Sequence, residues 1–288
     1  MGIRDYQGNP VSGGSSDFGV ADYGLFTEPD GSSARVATLT YLGKRLFPNS
    51  YPQQRLDFVR DYGGGVMIAL GDSYTSMGAS YFSDFATAHG LVCDNRGLAS
   101  STIAGSEDGV TVGYHAFWVR LDEAIAQYQA EGGFAIDGVA YTCEDVKLVT
   151  FMGGANDWYT VDESQGIDRL GSPESEDKEQ LYGACKYIFS TLLATFPNAD
   201  IVVILQPSSQ SKGNYPTWLK ERIVREMAEM HGLPICDCCF EWYNPDNPTD
   251  EATYWRQDDH LHMTVAGNEA IFAKLERTVN DLPFSRNG

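Results

Sequence analysis

The chain has 288 residues, of which 42% are hydrophobic and 21% are charged, a composition typical of a folded globular protein. Asp and Glu number 40 against 20 Lys and Arg, which gives a formal net charge of -20 at pH 7. This charge repels phosphate backbones and anionic lipid surfaces, so we expect no nucleic acid and no membrane as a partner.

No segment of the sequence approaches the ~18 consecutive apolar residues that a membrane-spanning helix needs, and no signal peptide is visible after Met1. We therefore expect a cytoplasmic protein, or one that is exported by another route. The six cysteines follow no recognised disulfide spacing, although Cys236, Cys238 and Cys239 stand together. We expect reduced thiols, with a redox or metal role for this cluster as the alternative, and no metal or organic cofactor.

Residues 1–62 differ in character from the rest of the chain. Gly, Ser, Asn, Asp and aromatic residues are scattered along this stretch, and only residues 34–47 show apolar periodicity. Such a segment cannot bury enough apolar surface to fold alone. We predict a non-globular, extended arm that docks on the main domain or on a neighbouring subunit, with a second copy in a homo-oligomer as one candidate partner. The main domain is predicted at 63–281, and 282–288 form a tail.

A buried strand is predicted at 66–70, where the sequence contains no polar residue. A run of this kind is typical of a strand covered on both faces, as in a parallel sheet. Gly71 ends the strand, and apolar residues at spacings of three and four from Ala79 onward predict a helix. Ser73 therefore lies at the carboxyl end of a strand, which is the edge at which open α/β sheets bind ligands.

Strands and helices alternate along the rest of the chain. Apolar runs predict further strands at 91–95, 146–152, 201–205 and 234–238, and helical periodicity predicts helices at 114–131, from 181, at 218–231 and at 264–279. This alternation predicts a parallel sheet with helices on both faces.

Polar residues follow several of the predicted strands and could act together as a catalytic site. Ser73 is a weak nucleophile that needs a base and hydrogen-bond donors for the oxyanion that its attack creates. The backbone N–H of Gly97 and the side-chain amide of Asn156 are candidate donors. His262 is the candidate base, and Asp259 could orient its imidazole. Taken singly, each of these residues is as readily explained as part of a turn or a surface loop.

Taken together, these segments resemble the conserved blocks of the SGNH (GDSL-type) hydrolase family. The matching blocks are Gly71-Asp72-Ser73, Asn95-Arg96-Gly97, Gly154-Ala155-Asn156-Asp157 and Asp259-His260-Leu261-His262. They stand in the family's order across roughly residues 66–276. The resemblance implies a three-layer α/β/α sandwich with a flavodoxin-like parallel sheet of about five strands in the order 2-1-3-4-5. It also implies Ser73 as the nucleophile, Ser73, Gly97 and Asn156 as the oxyanion hole, and an Asp259–His262 pair for acid–base catalysis.

The sequence departs from the family pattern at two positions of the last block. His260 stands where the family often has glycine, and Met263 stands where it often has proline. Neither residue supplies chemistry, but both shape the loop that holds His262. Residues 1–62 and 107–145 are not explained by the family blocks, and we expect them to shape the substrate entrance or an oligomer contact.

The resemblance implies a serine esterase for small acyl esters, with O-acetyl groups on carbohydrate as one candidate substrate. The alternatives are a lysophospholipase or thioesterase with the same site, and a structural or binding component of a larger assembly. Aromatic residues that suit either sugar rings or core packing fall near the predicted active-site loops: Trp158, Tyr159, Trp218, Trp242, Tyr243 and Trp255. Asp72 and Asp157 are predicted to hold their loops through hydrogen bonds to nearby N–H groups.

Overall fold

The structure is a computed structural model that describes residues 18–27, 33–41, 44–45, 60–109, 113–157, 169–207, 217–239 and 252–282. The chain divides into two compact units, Met1–Phe58 and Val59–Gly288. The predicted boundary between the arm and the main domain, at residue 62, lies close to this division.

The described part of the first unit is a three-stranded antiparallel sheet. Its strands are β1 (Phe18–Thr27), β2 (Ser33–Tyr41) and β3 (Lys44–Arg45), in the order β1-β2-β3. The sequence predicted a non-globular, extended arm in this region, because only residues 34–47 show apolar periodicity. The two long strands are instead rich in valine, threonine and aromatic residues. These residue types favour strands even where the sequence shows no continuous apolar periodicity. The docking or oligomer role of residues 1–62 stays a prediction.

The second unit is built on a five-stranded parallel sheet, as predicted. Its strands are β4 (Val66–Gly71), β5 (Val92–Gly97), β8 (Val146–Met152), β9 (Asp200–Leu205) and β10 (Ile235–Asp237). They lie in the order β10-β9-β8-β4-β5, and every neighbouring pair is parallel. Numbered within this sheet, the order is 2-1-3-4-5.

Helices cover both faces of this sheet. They are α1 (Ser73–Met77), α2 (Ala79–Ala88), α3 (Phe117–Gln129), α4 (Leu181–Thr195), α5 (Thr217–Met230) and α6 (Val265–Asn280). Side chains of β4 alternate between two hydrophobic clusters, since Ile68 packs with residues of α3, α4 and α5 and Met67 packs with residues of α2 and α6. All six residues of β4 are buried. The predicted three-layer α/β/α sandwich is therefore confirmed.

Element boundaries depart from the prediction in two informative places. Strand β5 continues through Gly97, which pairs in register with Gly71 of β4, whereas the sequence predicted that the strand ends at residue 95. In addition, a hairpin of β6 (Phe134–Ile136) and β7 (Val139–Tyr141) was not predicted. Its two-residue turn is Asp137-Gly138, with both φ angles positive at 50° and 82°. Asp-Gly is a known signal for such a turn, and the sequence analysis overlooked it.

The six cysteines carry no disulfide bond. The sulfur atoms of Cys236 and Cys238 are 3.7 Å apart, and both side chains are buried. Within the described ranges, no group of three His, Cys, Asp or Glu side chains is placed to hold a metal ion. No helix within those ranges has the length and apolar character needed to span a bilayer.

Candidate active site

The nucleophile loop leads from β4 into α1 and places Ser73 at the first position of that helix. Asp72 caps the helix, because its side chain accepts a hydrogen bond of 3.0 Å from the Tyr74 N–H. A side chain at Gly71 could not be accommodated, since an added Cβ would lie 1.9 Å from the hydroxyl oxygen of Thr75. This tight turn holds Ser73 at the carboxyl edge of the sheet, where ligands bind in folds of this type.

Ser73, His262 and Asp259 form a continuous hydrogen-bonded chain. His262 Nε2 lies 2.8 Å from Ser73 Oγ, and His262 Nδ1 lies 2.8 Å from Asp259 Oδ2. Because Nδ1 faces a carboxylate, it carries the proton, and Nε2 is left as the acceptor for the serine proton. The structure thus brings together all three residues that the sequence predicted for the catalytic chain.

Asp259 is held in its ionised form by its surroundings. Its Oδ1 accepts hydrogen bonds of 2.9 Å from the backbone N–H groups of Leu261 and His262. Partial burial raises the pKa of Asp259, but the hydrogen bonds from the His262 side chain and from the two backbone groups outweigh it and lower the pKa to about 2. Asp259 is therefore negatively charged throughout the pH range in which an imidazole acts as a base.

The loop before α6 places His262, and not His260, in contact with Ser73. His260 is exposed and takes a positive φ of 51°, whereas His262 is the histidine that contacts Ser73. The backbone on either side of His262 is fixed, since its carbonyl accepts a 2.8 Å hydrogen bond from the Arg256 N–H and Met263 pairs with Trp255 in a β-bridge. Met263 is buried at the position where the sequence departs from the family pattern.

Asn156 and Asp157 fix the loop that follows β8, which we call the oxyanion loop (residues 153–157). The Asn156 amide donates one N–H to the carbonyl of Ser101 over 3.0 Å, and its amide group carries a second N–H that can serve another acceptor. The Asp157 carboxylate accepts hydrogen bonds of 3.0 and 3.1 Å from the Ile103 and Ala104 N–H groups. The prediction that Asp157 holds its loop through backbone N–H groups is confirmed.

Gly97 does not take the position predicted for it. Its N–H already donates a 2.8 Å hydrogen bond to the side chain of Asn95, so the structure does not support the predicted role of Gly97 as an oxyanion donor. A Cβ at Gly97 would lie 2.3 Å from the backbone nitrogen of Ser76. The glycine is therefore needed because α1 packs directly on the end of β5.

The turn after β5 offers a different backbone donor. Ser100 is exposed and has a positive φ of 66°, a conformation uncommon for residues other than glycine. It directly precedes Ser101, whose carbonyl oxygen holds the Asn156 amide. Among the described residues, none accepts a hydrogen bond from the Ser100 N–H. Ser100 was not predicted because a positive φ at a serine is set by the fold and cannot be read from the sequence.

A cluster of three buried polar residues lies next to the nucleophile loop and the oxyanion loop, and it was also not predicted. Gln206, Lys220 and Glu221 are 2%, 1% and 4% exposed, respectively. The sequence predicted a helix at 218–231 from its apolar face alone, and it gave no role to Lys220 and Glu221. Burial raises the pKa of Glu221 well above its ordinary range, against the opposing effect of Lys220.

Burial likewise raises the pKa of Asp72 to about 6, although hydrogen bonds from Gln206 and Tyr74 act in the opposite direction. Asp72 is completely buried beside the nucleophile. Its charge is therefore supported by Gln206, Tyr74 and the nearby Lys220 rather than by water.

The structure tests the aromatic residues only in part. Trp255 is 2% exposed, so it packs in the core. Trp158, Tyr159, Trp242, Tyr243 and the side chain of Trp218 lie outside the described residues. A carbohydrate-facing role for these five residues stays a prediction.

The sequence and the fold were compared with those of known proteins. The family model described as "GDSL-like Lipase/Acylhydrolase family" matches residues 69–270, which is more than two thirds of the chain. Among curated proteins, none matches the sequence.

Solved structures share the fold of the second unit. A protein from Lactobacillus plantarum is 22% identical, with a TM-score of 0.55, and the match covers 76% of this chain and 98% of that protein. An acetylxylan esterase from Geobacillus stearothermophilus is 18% identical, with a TM-score of 0.50, and the match covers 80% of this chain and all of that protein. At these identities the likeness is one of fold.

Proposed function

The chain belongs to the GDSL-like lipase/acylhydrolase family, and we propose that it is a serine esterase that hydrolyses small acyl esters, including O-acetyl groups on carbohydrate. The observation that carries this proposal is the chain of contacts from Ser73 Oγ through His262 to Asp259, each of 2.8 Å. This is the arrangement in which a serine hydroxyl becomes a nucleophile at neutral pH.

In the proposed mechanism, Ser73 Oγ attacks the ester carbonyl carbon while its proton passes to His262 Nε2. The resulting imidazolium is stabilised by Asp259, which stays ionised. The tetrahedral intermediate collapses when His262 returns the proton to the leaving alcohol, and an acyl-enzyme on Ser73 remains. His262 then takes a proton from water, the hydroxide attacks the acyl carbon, and the carboxylic acid leaves as Ser73 regains its proton.

The oxyanion of each tetrahedral intermediate needs donors that are already in place. We assign this role to the Ser73 N–H, the second N–H of the Asn156 amide and the Ser100 N–H. Within the described part of the chain, no protein group accepts a hydrogen bond from the Ser73 or Ser100 N–H. Asn156 is aimed by its bond to Ser101. Ser100 takes the place that the sequence analysis gave to Gly97.

The preference for short acyl groups has two supports. The sequence contains no long apolar segment that could form a lid over a lipid chain. In addition, the second unit shares its fold with an acetylxylan esterase. Substrate choice within one fold is set by loops, so this part of the proposal needs its own measurement.

A series of p-nitrophenyl esters from acetate to laurate tests the proposal, with acetylated xylan oligosaccharides as the glycan substrate. We expect kcat/KM to be highest for acetate or butyrate, to fall with longer chains, and to vanish in the Ser73→Ala variant. Turnover of long-chain esters or lysophospholipids alone would favour a lysophospholipase, and turnover of thioesters alone would favour a thioesterase. Absence of turnover on every substrate would contradict the proposal.

A further inference from the structure

The side chain of Gln206 joins two loops of the active site that are not adjacent in the sheet. Gln206 follows β9 and Asp72 follows β4, and β8 lies between these two strands. The Gln206 Nε2 atom donates to Asp72 Oδ2 over 2.8 Å, and its Oε1 atom accepts from the Ala155 N–H over 2.7 Å. The amide therefore crosses the end of β8 and binds the nucleophile loop with one atom and the oxyanion loop with the other.

The backbone of the oxyanion loop passes close to the side chains of Gln206 and Glu221. Gly154 adopts a φ of 125°, which residues with a side chain rarely take. A Cβ at this position would lie 3.3 Å from Glu221 Oε1 and 3.8 Å from Gln206 Oε1. The glycine thus allows the backbone to pass close over the buried polar groups.

Two buried residues of α5 form hydrogen bonds that support the bridge made by Gln206. The Gln206 N–H donates to Glu221 Oε2 over 3.1 Å, and Lys220 Nζ donates to the Gly154 carbonyl over 2.7 Å. Both side chains are almost completely buried, and breaking a hydrogen bond to a buried polar group is costly because the group is left without a partner. The amide of Gln206 is consequently fixed at its backbone as well as at both of its polar atoms.

We propose that Gln206 is a positioning residue that sets the distance between the nucleophile and the oxyanion donors, an inference that rests on the esterase function proposed above. Asp72 caps α1 and so places Ser73, while Ala155 directly precedes Asn156. A bridge between Asp72 and Ala155 therefore fixes Ser73 relative to the Asn156 amide. Donors act at full strength only when they are preorganised around the developing oxyanion, and small displacements of reacting groups cost large factors in rate.

The Gln206→Glu variant breaks one of the two bonds while keeping the shape of the side chain. One carboxylate oxygen can still accept from the Ala155 N–H, but the other faces the carboxylate of Asp72. Two facing carboxyl groups form a hydrogen bond only if they share a proton, so the bridge can re-form only at lower pH. The other titratable groups that interact with Asp72 are Glu221 and Lys220 from α5, Asp157 from the oxyanion loop, Arg120 from α3, Tyr74 from α1, and His262.

The expected result is a change in kcat with a characteristic pH dependence. At pH 8 we expect kcat of Gln206→Glu on p-nitrophenyl acetate to fall by about 10- to 100-fold, with little change in KM. Measured as the ratio of variant to wild type at each pH, the deficit should shrink as the pH is lowered toward 5.5. Gln129→Glu, at an exposed site on α3, is the control for the added charge.

Exchanging the two polar groups provides the second test. In the double variant Asp72→Asn with Gln206→Glu, the amide at position 72 can donate to the carboxylate at position 206, which still accepts from the Ala155 N–H. The net charge is unchanged. We expect kcat of the double variant at pH 8 to exceed that of Gln206→Glu, and that of Asp72→Asn alone, by at least about tenfold. If either single variant does not fold, the comparison with the other one still stands.

Three results would overturn the inference: wild-type kcat in Gln206→Glu across this pH range, a loss of kcat that does not depend on pH, or no rescue in the double variant. A merely structural role predicts lower stability without the rescue in kcat or the pH dependence. If the wild type hydrolyses no ester, the proposed function fails instead. The two failures are therefore distinguishable.

Discussion

The Nε2 atom of His262 lies 2.8 Å from the hydroxyl oxygen of Ser73, although 189 residues separate them along the chain. Their contact follows from the parallel sheet, which collects the carboxyl ends of its strands on one edge. Ser73 begins the helix after β4, and the loop before α6 brings His262 to the same edge. The nucleophile and its base are therefore in contact before any substrate binds.

Replacing each of the two neighbouring histidines distinguishes the base from a loop residue. We expect His262→Asn to lower kcat by at least about four orders of magnitude, because His262 is the one acceptor bonded to Ser73 Oγ among the residues that the structure describes. His260→Asn should retain most of the activity, since asparagine tolerates the positive φ at this exposed position. Steady-state kinetics with p-nitrophenyl acetate measures both variants. A comparable loss in His260→Asn would contradict the assignment.

Removing the Asn156 amide tests the oxyanion hole. A donor that acts only on the developing negative charge contributes to kcat more than to KM, and its loss costs about 10²- to 10³-fold in kcat. We expect this effect for Asn156→Ala, with KM nearly unchanged. Asn198→Ala is the matched control, because the hydrogen bond from its amide to the Glu144 carbonyl lies at an exposed site. A rise in KM without a fall in kcat in Asn156→Ala would assign the amide to substrate binding.

The buried carboxyl group of Asp157 predicts how stability depends on pH. Burial raises its pKa from an ordinary 3.8 to about 7, against the hydrogen bonds from Ile103 and Ala104. Between these values the unfolded chain is ionised while the folded chain keeps its proton. The free energy of unfolding should therefore fall as the pH rises from about 4 to about 7.

Urea unfolding of Asp157→Asn at pH 5 and pH 8 measures this contribution. The variant loses one acceptor for a backbone N–H at both pH values, but it carries no charge that must be buried at pH 8. We expect the destabilisation relative to wild type to be smaller at pH 8 than at pH 5, by on the order of 2 kcal/mol. Asp137→Asn, in the exposed hairpin turn, should show no such difference. An equal destabilisation of Asp157→Asn at both pH values would contradict the prediction.

Gly97→Ala tests whether this glycine is structural. Because an added Cβ would lie 2.3 Å from the Ser76 nitrogen, we expect α1 to be displaced, stability to fall by roughly 1–3 kcal/mol, and activity to fall with it. Gly232→Ala is the comparison, since a Cβ there meets nothing within 4 Å. In that variant only the strain of alanine at a positive φ should lower the stability, by roughly 1–2 kcal/mol, and the activity should be kept. Lost activity with full stability in Gly97→Ala would contradict a purely structural role for this glycine.

The sequence predicted those parts of the fold and site that are encoded locally. The apolar run before Gly71 predicted β4 and the position of Ser73. The spacing of Asp259 and His262 suits an ion pair within one loop. The helix predicted at 264–279 is displaced by one residue, since Thr264 caps α6 and the helix begins at Val265. In each case, residues within a few positions of one another carry the physical cause.

The remaining features depend on contacts between distant segments. Strand β5 extends to Gly97 only because it pairs with β4, and this pairing removes the Gly97 N–H from the site. Gln206 is a single amide after a strand, and its partners Asp72 and Ala155 are 134 and 51 residues away. No local pattern marks such a residue, because its role exists only once three strands lie side by side.

The most direct test of the central claim is labelling with a fluorophosphonate, which reacts with activated serine hydroxyls. Intact-mass measurement of the wild type should show one adduct per chain, and peptide mapping should locate it on Ser73. Labelling should be absent in Ser73→Ala and strongly slowed in His262→Asn. An unlabelled wild type, or equal labelling of Ser73→Ala, would contradict the proposal that Ser73 is the activated nucleophile of this protein.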